Sequence, residues 1–128
     1  MKGFQMDLKE IAMAVKTANE TNETGALLDN HYAEDCVSVE AATMPGTDSP
    51  ETVGLDGIRA KHAWWESEME FISGTIEGPH LHGEDRFALV FKSLIREKAS
   101  GNEIPMEEVA IYTVTDGKIS REEFFYTM

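Results

Sequence analysis

A chain of 128 residues, 41% of them hydrophobic, has room for one core of ordinary size and no more. Its formal charge of −13 argues against nucleic-acid binding, which needs Lys and Arg to neutralise phosphates, and against an anionic membrane surface. Cys36 is the only cysteine, which leaves no intrachain disulfide and no thiolate metal cluster; its apolar setting, Cys36-Val37-Ser38-Val39, predicts a packed thiol and not a nucleophile activated by His31.

Residues 1–7 lack the apolar run of a signal peptide, so the expected location is the cytoplasm. Leu8, Ile11, Ala12, Val15 and Ala18 recur at helical spacing and predict an amphipathic helix over residues 6–20. A polar connection follows, with Asn22 or Thr24 placed to cap a second short helix that ends near Tyr32. Val37 and Val39 mark a strand, and residues 44–50 carry loop chemistry. A third helix is expected from Asp56 to about Met69, with Ile58, His62, Trp65 and Met69 on one face and Arg59, Glu66 and Glu70 outside. Trp64 and Trp65 diverge by about 100° on that helix, so one ring is expected inward and the other packed elsewhere.

Strand and turn make up the rest. Phe87, Leu89, Val90 and Phe91 mark one long strand, residues 99–102 a turn, and Val109, Ile111, Tyr112 and Val114 a second strand. Asp116-Gly117 supplies the positive φ angles of a tight hairpin, and residues 119–126 close the chain. His80 and His82 point the same way on a strand and would suit a metal with Glu84 or His31 as third ligand. The turn residues bracketing them favour an exposed strand end, and no metal or cofactor is expected. The fold expected is α+β: a cone-shaped domain spanning 1–128, with three N-terminal helices on a curved, mainly antiparallel sheet that encloses a pocket.

Three segments carry a family resemblance. They are Leu28-Asp29-Asn30-His31-Tyr32-Ala33-Glu34-Asp35-Cys36-Val37-Ser38-Val39-Glu40, Gly54-Leu55-Asp56-Gly57-Ile58-Arg59-Ala60-Lys61, and the run from Tyr112 through Asp116-Gly117 to Tyr126. In this order they resemble the SnoaL-like polyketide cyclase branch of the nuclear transport factor two-like superfamily, which shares its cone fold with ketosteroid isomerase. The resemblance implies that Glu40 stands where ketosteroid isomerase has its general-base aspartate. It also implies Lys16 and Ala110 at the two oxyanion positions, which speaks against steroid isomerisation. A homodimer formed through the sheet is a further implication.

Strand alternation adds candidates of its own. Glu108, Ala110 and Tyr112 share one face of their strand, and Ser120, Glu122, Phe124 and Tyr126 share one face of the last. Aligning the final hairpin with ketosteroid isomerase turns both faces toward the pocket. Glu108 and Glu122 then become carboxylates in a partly apolar cavity lined by Trp65, Tyr112, Phe124 and Tyr126. Burial raises a carboxyl pKa toward the range useful for proton transfer. The alternative is that these glutamates pair with Arg86, Arg96 or Lys61, or lie at the solvated rim.

Two functions remain open at this level. One is a cofactor-independent acid–base enzyme (cyclase, isomerase or hydrolase-like) on a small hydrophobic or polyketide-like substrate. Its catalytic candidates are Glu40 as base, Glu108 as acid or electrostatic partner, and Tyr112 or His62 as orienting donors; Trp65, Met69, Glu122, Phe124 and Tyr126 would bind substrate. The other is a non-catalytic ligand-binding or dimerisation module, with Val109, Ile111 and Phe125 on the outer sheet face.

Overall fold

The computed structural model describes residues 6–43 and 46–127. Helix α1 (Leu8–Glu20) opens on a reciprocal cap: the Asp7 carboxylate accepts from the Glu10 amide at 2.8 Å, and the Asp7 amide donates to the Glu10 carboxylate at 3.3 Å. Helix α2 (Thr24–His31) begins without a side-chain cap, so the capping expected of Asn22 or Thr24 is not used. Asn22 instead takes a left-handed φ of 58°, which turns the chain between the two helices. Helix α3 (Leu55–Glu68) follows Gly54, whose φ of 91° suits glycine, and stops one residue before Met69.

Six strands make the sheet: β1 (Tyr32–Val39), β2 (Glu51–Val53), β3 (Met69–His82), β4 (Arg86–Glu97), β5 (Glu103–Thr115) and β6 (Lys118–Phe125). Their order is β2-β1-β6-β5-β4-β3, antiparallel throughout except for the parallel pair β1–β6. Two strands therefore lie among the helices where the sequence predicts one. Met44 and Pro45 of the expected 44–50 loop lie outside the described residues. At the β5–β6 turn Asp116 and Gly117 have φ of 51° and 77°, as the Asp-Gly pair predicts. Register shifts in β3, between Phe71 and Ser73 and between Glu77 and His80, bend the longest strand, and a bent sheet acquires a concave face.

The helices cover that face. Ile11, Ala12 and Val15 of α1, Leu27 and Leu28 of α2 and Ile58 of α3 pack with Tyr32, Cys36, Phe87, Leu89, Ala110, Tyr112 and Ile119 of the strands. Cys36 is fully buried there, as its apolar neighbours predict, and burial pushes its thiol up to about 12. Lys16 reaches from α1 to the Gly78 carbonyl at 2.9 Å, a structural strap between helix and sheet. Among the described residues no helix is long and apolar enough to cross a membrane. The architecture is α+β, with its ionisable interior at the end of the sheet where β1 and β6 run side by side.

Candidate functional site

Alternation along β1 sends Tyr32, Cys36 and Ser38 inward, and the parallel register sets Ser38 beside Glu122 of β6. Glu122 is 2% exposed. Its carboxylate accepts from the Tyr32 hydroxyl at 2.5 Å and from the Ser38 hydroxyl at 2.8 Å. Ser38 accepts in turn from the Lys61 ammonium at 2.5 Å, brought in by α3 from the turn after Ile58. The same ammonium pairs with Glu40 at 3.0 Å and lies 5.2 Å from the centroid of the Phe124 ring. The second Glu40 oxygen accepts from the Tyr126 hydroxyl at 3.2 Å. One polar row thus runs from the core at Tyr32 to the rim at Tyr126.

Glu108 stands beside this row. It lies on the inward face of β5 with Ala110 and Tyr112, and makes no side-chain hydrogen bond or ion pair among the described residues. Its carboxyl is pushed up to about 7, first by burial and then by the negative charges of Glu40 and Glu122, with Lys61 opposing. His62 is half-buried on α3 and held below its ordinary value, chiefly by burial. The Tyr126 hydroxyl is pushed up to about 12 by burial and by Glu40, which keeps it a donor.

An open cleft of about 330 Å³ adjoins the rim, lined by Val39, Glu40, Ala41, Glu123, Phe124, Phe125 and Tyr126. Of the residues proposed from sequence, Glu40, Phe124 and Tyr126 meet in it. Glu108 and His62 belong with them electrostatically, since each responds to the charges of Glu40, Lys61 and Glu122. The ion pair that sequence offers as the alternative for Glu40 is present, with Lys61 as its partner.

The other candidates do not line the cleft. Glu122 is sealed from solvent and committed to Tyr32 and Ser38, which leaves no room to bind a substrate. Tyr112 is a core residue, 2% exposed, its ring stacked on Phe87 at 4.8 Å, so it forms no cleft wall and has no open edge from which to orient a ligand. Trp65 is not in the cleft either. Trp64 and Trp65 are equally exposed at 39%, within the run 63–67 of α3 in which every residue is exposed. Met69 opens β3 opposite Glu97, so strand pairing and not a helical face sets its direction. His80 and His82 are exposed at the end of β3, and no group of three or more potential metal-ligating side chains occurs among the described residues.

Sequence alone does not single out Tyr32, Ser38 or the joining role of Lys61. Alternation gave a usable signal for Ser38, which shares parity with Cys36 and Glu40, but nothing local indicates that β1 runs parallel to β6.

A mainly antiparallel sheet backed by three helices, with ionisable groups on its concave face, defines the nuclear transport factor two-like cone fold. The chain belongs to the SnoaL-like family within it: residues 6–126 match the SnoaL-like domain. A Mesorhizobium loti protein whose name gives both a SnoaL-like polyketide cyclase and a carbohydrate phosphatase is 35% identical, with 94% of this chain and 100% of that one covered at a TM-score of 0.86. A Burkholderia pseudomallei nuclear transport factor two-like protein of unknown function (13% identical, 93% and 89% covered, TM-score 0.78) shares the fold. So does TerC co-crystallised with polyporic acid (18% identical, 92% and 89% covered, TM-score 0.72). A search of curated proteins gives no match to this chain.

Proposed function

We propose that this chain is one domain that binds a small hydrophobic or polyketide-like molecule at the Glu40–Phe124–Tyr126 cleft and moves a proton on it. Glu108 is the exchanging acid and base. Glu40, ion-paired with Lys61, supplies the neighbouring charge, and His62 is a nearby neutral donor or acceptor. The observation that carries the reading is the placement of Glu108: an inward carboxyl with no side-chain hydrogen bond or ion pair among the described residues, pushed up to about 7 by burial and by the charge of Glu40. A group that releases its proton near the working pH is efficient in both directions of transfer. The Mesorhizobium loti relative named for a polyketide cyclase, and the fold's capacity to take polyporic acid in TerC, support the substrate class.

Proton transfer is measurable without knowing the natural substrate. A panel of small polyketide-like ketones and phenols incubated in D2O should gain deuterium at carbon faster with the wild type than with Glu108→Gln, by about 10²-fold or more for an accepted compound. Equal rates across the panel for the two proteins would end this reading.

The outer sheet face favours a second role beside the first, a homodimer. Val90, Val109 and Phe125 align across β4, β5 and β6, with Ile111 in the adjoining row, and Phe125 is 50% exposed. Ile111→Lys should shift the hydrodynamic size from dimer to monomer in sedimentation velocity. A wild type that runs as a monomer at micromolar concentration would remove this assignment and leave the cleft untouched.

A further inference from the structure

We infer that Lys61 is a positioning residue of this site: seated by Ser38 and the buried Glu122–Tyr32 pair, it anchors Glu40 and supplies the positive charge against which Glu108 exchanges its proton. The inference rests on the reading of Glu108 as the exchanging group and deepens it.

A lysine on a surface helix is ordinarily a mobile, well-hydrated charge whose ion pairs contribute little. Lys61 is placed differently. Its side chain is 11% exposed, and two of its three N–H donors have fixed acceptors, Ser38 at 2.5 Å and Glu40 at 3.0 Å. The direction of the Ser38 bonds is also fixed. Glu122 accepts from the Ser38 hydroxyl, so the other side of that oxygen is left to accept from Lys61. Tyr32 holds the second Glu122 oxygen, so the acceptor cannot swing away. The chain Tyr32–Glu122–Ser38 therefore fixes where the ammonium sits, and the ammonium fixes Glu40.

The surrounding charges give that position its consequence. The site collects Glu40 at the end of β1, Glu108 from β5 and Glu122 from β6, with Tyr32 and Cys36 of β1, Tyr112 of β5, Tyr126 after β6 and His62 of α3 around them. Burial and two carboxylates hold the proton on Glu108, and Lys61 is the group that opposes them. Removing its charge takes away a group that favours release, whereas an Arg in its place keeps the charge and the donors.

The test is the titration of Glu108 followed by NMR in protein carrying 13C at the glutamate side-chain carboxyls, with the signal assigned by its loss in Glu108→Gln. Lys61→Met should raise the Glu108 midpoint by about one pH unit, the scale of a nearby opposite charge. Lys61→Arg should return it most of the way, and Ser38→Ala, which keeps the charge but removes its seat, should raise it by less. A midpoint unchanged in Lys61→Met would overturn the inference. Should Lys61→Met fail to fold, Lys61→Gln and Ser38→Ala carry the same test, and no movement in them overturns it as well. The two readings fail separately: a wild-type Glu108 that titrates like an ordinary glutamate sinks the proposed function, whereas the difference between wild type and variant tests Lys61.

Discussion

Glu122→Ala should lower the free energy of unfolding by about 4 kcal/mol, the largest stability loss expected from any side chain of the polar row. The carboxylate is 2% exposed and is the acceptor for both the Tyr32 and the Ser38 hydroxyls. Truncation leaves two buried donors without their partner, each a loss of roughly 1–3 kcal/mol, and opens a void where the side chain stood. It also removes an anion near Lys61, whose seat on Ser38 then loosens. Glu122→Gln keeps the volume but gives up the charge-assisted bonds, and should lose about half as much. Urea denaturation of the three proteins measures this directly. A Glu122→Ala variant within about 1 kcal/mol of wild type would show that the carboxylate is not structural, and would return it to the ligand-binding role its strand parity suggests.

Glu122 also illustrates what a sequence can reveal of such a site. Parity along the last strand turns Glu122, Phe124 and Tyr126 inward, and the structure has all three on that side. Parity does not say how deep each lies. Depth depends on β1, which pairs with β6 in parallel across more than eighty residues of chain, and no local pattern encodes that partnership. The same limit applies to β3. Its fourteen residues include Gly74, Gly78 and Pro79, and two register shifts break the alternation by which a strand is recognised. Helix α1 and the Asp116-Gly117 hairpin were legible because their signals are local: apolar spacing in one, positive φ in the other. On α3 the spacing of Ile58, His62, Trp65 and Met69 predicts one shared helical face. Only Ile58 is fully buried, His62 and Met69 are partly buried and Trp65 is exposed, and Lys61, one position off that stripe, joins the network instead.

Glu108→Gln should behave in the opposite sense to Glu122→Ala, and its effect should depend on pH. In the unfolded chain Glu108 has the ordinary glutamate value, 4.5, and in the folded protein it is pushed up to about 7. Between these values the native state keeps a proton that the unfolded state has released, so stability falls as pH rises through the window. Below about 4.5 both states hold the proton and the group contributes nothing. Above 7 the fold carries the whole penalty of a charge buried beside Glu40 and Glu122, on the order of 3 kcal/mol at most. Glutamine has the same shape and cannot ionise. The variant should therefore match the wild type at pH 4.5 and exceed it by about 1–3 kcal/mol at pH 8.5, measured by chemical denaturation at the two values. Proton transfer should be lost over the same range, so stability and activity move in opposite directions in one substitution, as they do where a fold holds a group in an unfavourable state for use. A structural ion pair predicts the reverse, a variant less stable at high pH because a cation has lost its partner. A variant that tracks the wild type at both pH values would mean that Glu108 reaches water freely and is no proton-transfer group.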